Sequence, residues 1–237
     1  MGGRNSLLGQ CLLALCGALV PASSYAAAPL ATDDADVLAA FECEVEPYFA
    51  RLSLPGNLRE DTFNAQLGCG LGGEAQLAVG FGRSNRSDAQ NHGRRESLAL
   101  SGKTVLHKTP DGAAIAVLAG SVMGRTGGGP FRFDSVYATA AVTVPLGTGL
   151  TGHANLGWVR SRPDRTHTTA WNLALEAVWR PGIDAAIEVY GDDRNKPWLG
   201  LGLRWSVSQQ LKFGASYAVQ SDTLRQRLVS VGATWAF

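Results

Sequence analysis

Read back from Phe237, the chain alternates. Phe237, Trp235, Ala233, Val231 and Val229 fall on one side, and Ala236, Thr234, Gly232 and Ser230 on the other, with Leu228 out of step. A period of two is the mark of a β-strand whose two faces meet different surroundings. The pattern recurs upstream. Leu211, Phe213, Ala215, Tyr217 and Val219 oppose Lys212, Gly214, Ser216 and Gln220, and Leu199, Leu201, Leu203, Trp205 and Val207 oppose Trp198, Gly200, Gly202 and Arg204. Trp171, Leu173, Leu175, Ala177 and Trp179 oppose Asn172, Ala174, Glu176 and Arg180, and Leu150, Ala154, Leu156 and Trp158 oppose Thr151, His153 and Asn155. Further strands are expected at 42–52, 61–71, 75–83, 97–106, 114–123, 135–144 and 184–191.

This makes about twelve strands of about ten residues, the length a tilted strand needs to cross a bilayer. One face of nearly every strand is apolar and the other is small and polar, which leaves no second apolar face for the core of a soluble β-sandwich, the competing fold. The expected class is all-β: a closed antiparallel transmembrane β-barrel, its even strand number returning both termini to the periplasm. Connections alternate in the same sense. Gly72-Gly73, Thr109-Pro110-Asp111-Gly112, Pro145-Leu146-Gly147 and Pro181-Gly182 suit tight turns. The stretches 54–60, 84–94, 124–133 and 161–167 are polar, Arg-rich or Gly-rich and read as external loops.

The first residues follow another rule. Arg4, an apolar stretch from Leu7 to Val20, and Ser24-Tyr25-Ala26 have the layout of a secretory leader, expected to be cleaved after Ala26. Residues 27–41 then form a periplasmic lead. Thr32 to Phe41 reads as a short helix, with Thr32 as cap and Asp33, Asp34 and Asp36 in the first turn, or as an ordered lead. The barrel occupies 42–237. Over the whole chain, 21 Lys and Arg balance 20 Asp and Glu, which argues against nucleic acid as a partner.

Candidate chemistry is sparse. Cys43 and Cys69 fall on the outward faces of the first two strands and stand opposite each other if the hairpin turns near Gly56. A cross-strand disulfide is expected in an oxidising compartment, two unpaired thiols being the alternative. His92, His107, His153 and His167 are dispersed without ligand spacing, so neither metal nor cofactor is expected. Ser101-Gly102-Lys103-Thr104 lacks the leading glycine of a phosphate loop. A surface hydrolase would need a serine beside His153 or His167, and Ser161 near His167 is the closest approach to one. Glu176, Asp184, Glu188, Arg204 and Lys212 come from consecutive late strands and are expected to line the lumen, with Asp184 opposite Arg204 and Glu176 and Glu188 slightly deeper. Recurrent inward glycines, among them Gly70, Gly200 and Gly202, leave space inside.

In these features the chain resembles a small Gram-negative outer-membrane β-barrel. Its terminal strand, with Val229, Val231, Trp235 and Phe237 outward, resembles the signal such proteins present to the barrel assembly machinery. Size and layout over 42–237 are similar to the transporter-like barrels of the phenol meta-pathway family. That resemblance implies contact with outer-membrane lipid and uptake of a small hydrophobic or aromatic solute. Pore or transporter, closed structural barrel, and surface hydrolase remain the three functional readings, and the strand pattern does not say whether the bore is open.

Overall fold

The computed structural model describes residues 30–87, 92–222 and 226–237. The expected leader (1–26), the first residues of the lead and the tip of the 84–94 segment lie outside the described residues. Twelve strands follow in chain order: β1 Cys43–Ser53, β2 Arg59–Gly72, β3 Ala75–Ser87, β4 His92–Lys108, β5 Ala114–Thr126, β6 Arg132–Gly147, β7 Leu150–Ser161, β8 Thr166–Arg180, β9 Ile183–Asp192, β10 Trp198–Ser206, β11 Leu211–Gln220 and β12 Arg227–Ala236. Each pairs antiparallel with its neighbour in sequence, and β12 closes on β1 to complete a barrel. The closing register sets Val45 against Trp235, Phe49 against Val231 and Ser53 against Arg227.

Closure turns the sequence period into an inside and an outside. Leu199, Leu201, Leu203 and Trp205 stand exposed on the outer wall, as do Leu67, Val79, Leu100, Leu156 and Leu175 on other strands. Their neighbours Gly200, Gly202 and Arg204 face the lumen. This is a soluble protein turned inside out: the buried set is rich in Glu46, Gln66, Ser101, Lys103, Thr139, Thr143, Asn155 and Glu188. Such a wall is stable only where the outer face meets hydrocarbon. Trp179, Trp205, Phe213 and Trp235 stand on the outer wall of β8 and β10 to β12 at the end of the barrel where β1 begins and β12 ends, here called the proximal end. That is the position of an interfacial aromatic girdle.

The strands run further than the sequence pattern suggests at the opposite, distal end. Parts of the expected loops 84–94, 124–133 and 161–167 are strand, because β3 extends to Ser87, β4 starts at His92 and β6 at Arg132. The cause is charge pairing on the outer face. Glu96 lies opposite Arg125 in the β4–β5 register and takes ion pairs from both Arg125 and Arg94. Such cross-strand pairs hold a polar hairpin together beyond the apolar belt. Cys43 and Cys69 are cross-strand partners at the proximal start of β1, joined by a disulfide.

The wall assignment carries a direct test. Leu201→Arg puts a charge against lipid and is expected to cost about 2–4 kcal/mol near the midplane, read from urea unfolding in phospholipid vesicles. Arg204→Ala, on the same strand but inward, is expected to leave a fully folded, heat-modifiable barrel. Equal stability of the two variants would reverse the facing of β10.

Candidate functional site: a bore occupied by the N-terminal lead

Residues 30–42 do not hang below the barrel. Phe41 takes a left-handed φ of 65°, unfavourable for a residue with a Cβ, and there the chain doubles back from β1. Its N–H donates to the Gly70 carbonyl at 3.0 Å, and the Gly70 N–H donates to the Glu42 carbonyl at 2.9 Å. The lead then crosses the lumen from the β2–β3 wall to the β8–β10 wall.

The expected short helix is absent from residues 30–41, and the reason is where the backbone donors go. A helix would satisfy them internally; here the barrel wall takes them. Leu38 N–H donates to Gln76 Oε1 at 2.9 Å and Ala35 N–H to Thr143 Oγ1 at 2.8 Å. Asp33 N–H donates to Asn155 Oδ1 at 2.7 Å, and Asn155 Nδ2 returns a bond to the Asp33 carbonyl at 2.8 Å. The Asn155 amide thus pairs with the lead as a neighbouring strand would. Glu188 receives Ala31 N–H at 2.9 Å, Thr32 N–H at 3.1 Å and the Thr32 hydroxyl at 3.0 Å. Asn172 Nδ2 donates to the Ala31 carbonyl at 2.6 Å.

Three lead carboxylates meet two lysines. Lys103 Nζ lies 3.0 Å from Asp33 Oδ1 and 2.9 Å from Asp34 Oδ1. Lys108 reaches Asp36 at 3.1 Å near the proximal rim. Asp33 is 1% exposed, and burial pushes its carboxyl up to about 7 against the pull of Lys103. Burial opposes ionisation of Asp34 too, but the charge and hydrogen bond of Lys103 prevail and hold it below the usual carboxylate range.

Two lumen glycines show how closely the lead fits. A Cβ on Gly70 would run into the backbone of Ala39, and one on Gly202 would stand 2.5 Å from the Leu30 side chain. The space that the glycines leave inside is therefore filled. Towards the distal end Ala31 packs against Tyr190 and Trp198, whose rings stack at 6.1 Å, together with Leu52 and Leu228.

The late-strand charges are divided among these tasks. Glu188 holds the lead. Arg204 forms a two-point ion pair with Glu176, at 3.1 and 3.0 Å. Asp184 sits opposite Arg204 in register, and Lys212 is exposed near the proximal mouth. Lys103, Thr143 and Asn155, which bind the lead along with Glu188, stand among other inward polar residues on separate strands, and nothing in their local sequence marks them apart. His153 Nδ1 lies 3.0 Å from Thr143 Oγ1. His167 packs against the Trp158 ring at 5.6 Å, while the Ser161 hydroxyl donates to Asp164 at 2.9 Å.

A profile of the uncharacterised conserved protein family UCP029691 matches residues 14–237. The chain belongs to this family. No curated protein sequence matches it. Among solved structures, the COG4313 outer membrane channel from Pseudomonas putida F1 superposes with a TM-score of 0.60 at 12% identity, over 86% of this chain and 98% of that one. The KdgM porin in complex with disordered oligogalacturonate gives 0.58 at 10% identity, over 82% and 99%. The translocator domain of the autotransporter NalP from Neisseria meningitidis gives 0.55 at 14%, over 85% and 90%. At these identities the likeness is one of fold. With the exposed apolar belt, it makes this UCP029691 member a β-barrel of the outer-membrane type.

The lead's grip is testable at Lys103. Lys103→Met leaves Asp33 and Asp34 without their cation, and the loss of one partner from a buried pair costs about 3–5 kcal/mol. The expected result is protease cleavage within residues 30–42 of the folded barrel, with its heat-modifiable migration retained. Adding Asp33→Asn and Asp34→Asn should restore much of the protection. Unchanged protection in Lys103→Met would mean that the backbone bonds alone seat the lead.

Proposed function

We propose that this barrel is an outer-membrane channel for small polar solutes, held shut by its own N-terminal lead. The observation that carries the reading is the lumen. Its wall is small, polar and charged, and what fills its middle is a tethered segment rather than fixed side chains of the strands. Barrels of eight strands are packed solid by their own side chains, whereas wider ones leave an interior to be lined or plugged. The superposed P. putida structure is described as an outer membrane channel, and KdgM as a porin with oligogalacturonate, which supports transport over catalysis. A hydrophobic or aromatic solute would find the Tyr190–Trp198 stack suitable. The Glu176–Arg204 pair, Asp184 and Lys212 near the proximal mouth favour a polar one.

In this reading residues 1–26 are cleaved on export, the C-terminus and the start of β1 face the periplasm while the lead from Leu30 stays in the bore, and the 54–58 and 161–166 connections lie outside. The terminal strand, with Val229, Val231, Trp235 and Phe237 outward, is the segment the barrel assembly machinery engages. Phe237→Asp is expected to lower the amount of heat-modifiable barrel in outer membranes while the secreted, unassembled chain persists. Normal membrane levels would remove the assembly role from that residue.

A closed structural barrel is the second reading, and the seated lead is the observation in its favour. Planar-bilayer recording separates the two. Deleting residues 30–41 is expected to raise single-channel conductance several-fold over the full mature chain, and Arg204→Ala in the deleted background to shift selectivity towards cations. Leu30→Cys with Gly202→Cys, which places a thiol from the lead against the wall, is expected to be silent when oxidised and to open intermittently when reduced. A deletion variant that folds yet conducts no better than the parent would establish the closed barrel.

A further inference from the structure

The β7–β8 connection carries charge that its surroundings leave unmatched. Arg160 near the end of β7 pairs in register with His167 near the start of β8, two residues beyond lipid-facing Trp158 and on its side of the wall. Between them Arg162, Pro163, Asp164 and Arg165 form a turn. Arg165 holds a left-handed φ of 53°, and its N–H donates to the Arg162 carbonyl at 3.3 Å. The Arg162 N–H donates to the Asp134 carbonyl at 2.8 Å, which fastens the turn to β6. Arg160, Ser161, Arg162, Pro163, Arg165 and His167 line an open cavity of about 500 Å³.

Several other arginines at the distal end have acidic partners. Arg51 pairs with Asp61 at 2.6 Å, Arg95 with Asp134 at 2.6 Å, and Arg94 and Arg125 share Glu96. Arg160, Arg162 and Arg165 have none within ion-pair distance among the described residues. The acid within their own turn, Asp164, accepts the Ser161 hydroxyl and lies outside ion-pair distance of all three. Three guanidinium groups gathered around one cavity repel one another unless an anion joins them. Their planar forks match phosphate oxygens better than any other common anion except carboxylate.

Position decides the source of that phosphate. His167, which lines the cavity, packs on Trp158, 41% exposed on the outer wall, so the cavity lies next to the lipid-facing surface. Basic pockets beside the hydrocarbon take phosphorylated headgroups, whose acyl chains hold the phosphate in place; a free phosphate has no such anchor.

We propose that the Arg160–Arg162–Arg165 cavity binds the phosphate groups of a membrane lipid headgroup at the distal rim. The inference rests on the barrel spanning a membrane and is independent of whether its bore conducts. The heat-modifiable band of the wild type tests the first, and lead-deletion conductance the second. Calorimetric titration of the full mature protein in dodecylmaltoside micelles with diphosphorylated lipid A reads the site. Binding is expected to weaken about tenfold or more in Arg160→Gln/Arg162→Gln/Arg165→Gln, and to weaken comparably for the wild type with dephosphorylated lipid A. If the triple variant lacks the folded band, Arg162→Gln/Arg165→Gln, confined to the exposed turn, carries the same expectation with a smaller loss. Equal affinity of folded variant and wild type would overturn the proposal. So would equal affinity for dephosphorylated lipid, or binding of inorganic pyrophosphate as tight as that of lipid A.

Discussion

In hydrocarbon no backbone N–H or C=O can turn to water for a partner, so everything in this protein depends on the pairing of β12 with β1. That one seam removes the last open edge. It also forces the alternation of each strand into a fixed meaning: one set of side chains meets lipid, the other meets the lumen. The apolar belt, the outward aromatic residues at the proximal end and the polar interior are consequences of closure. Leu201 and Arg204, three residues apart on β10, end in different solvents for that reason alone.

Closure also creates a cost. A wall of glycine and small polar residues around a lumen leaves donors and acceptors facing inward, and the lead meets them. It offers its own backbone N–H groups to Gln76, Thr143, Asn155 and Glu188 and its carboxylates to Lys103 and Lys108. Each side thereby satisfies many of the other's buried polar groups, although Asp33 Oδ2 and Gln66 Oε1 stay buried without a partner among the described residues. Many of the contacts are hydrogen bonds and ion pairs, which water is able to replace, and apolar packing of Ala31 against Tyr190 and Trp198 and of Ala35 against Ala114 and Ala116 adds to them. A plug of this chemistry is tied firmly without being part of the wall.

The two ends differ in how they treat charge. At the proximal mouth Arg204 and Glu176 neutralise each other, and the lead carboxylates are answered by lysines. At the distal rim cross-strand pairs extend the hairpins into water, but the β7–β8 turn keeps three arginines free of such pairing among the described residues. The proposed transport and lipid-binding roles thus draw on different surfaces of one barrel, the first on the inward set and the second on the outward set.

The barrel itself was legible in the sequence because period-two alternation is local. Each strand announces its two faces without reference to any other, so the twelve strands, the outward Trp235 and Phe237 and the opposition of Cys43 to Cys69 could be read from spacing. The Arg204–Asp184 register followed from counting through a tight turn. Strand lengths were underestimated where Glu96 pairs across strands with Arg125 and along β4 with Arg94, since a charge looks like a loop until its partner is known. Of the two forms expected for the lead, the helix failed for a deeper reason. Thr32 followed by Asp33, Asp34 and Asp36 has the local chemistry of a helix start, but its hydrogen-bond partners lie more than a hundred residues away on β6, β7 and β9. Contacts of that range are set when the sheet closes around the segment, so alternation determined the wall, and only the tertiary structure decided what occupies it.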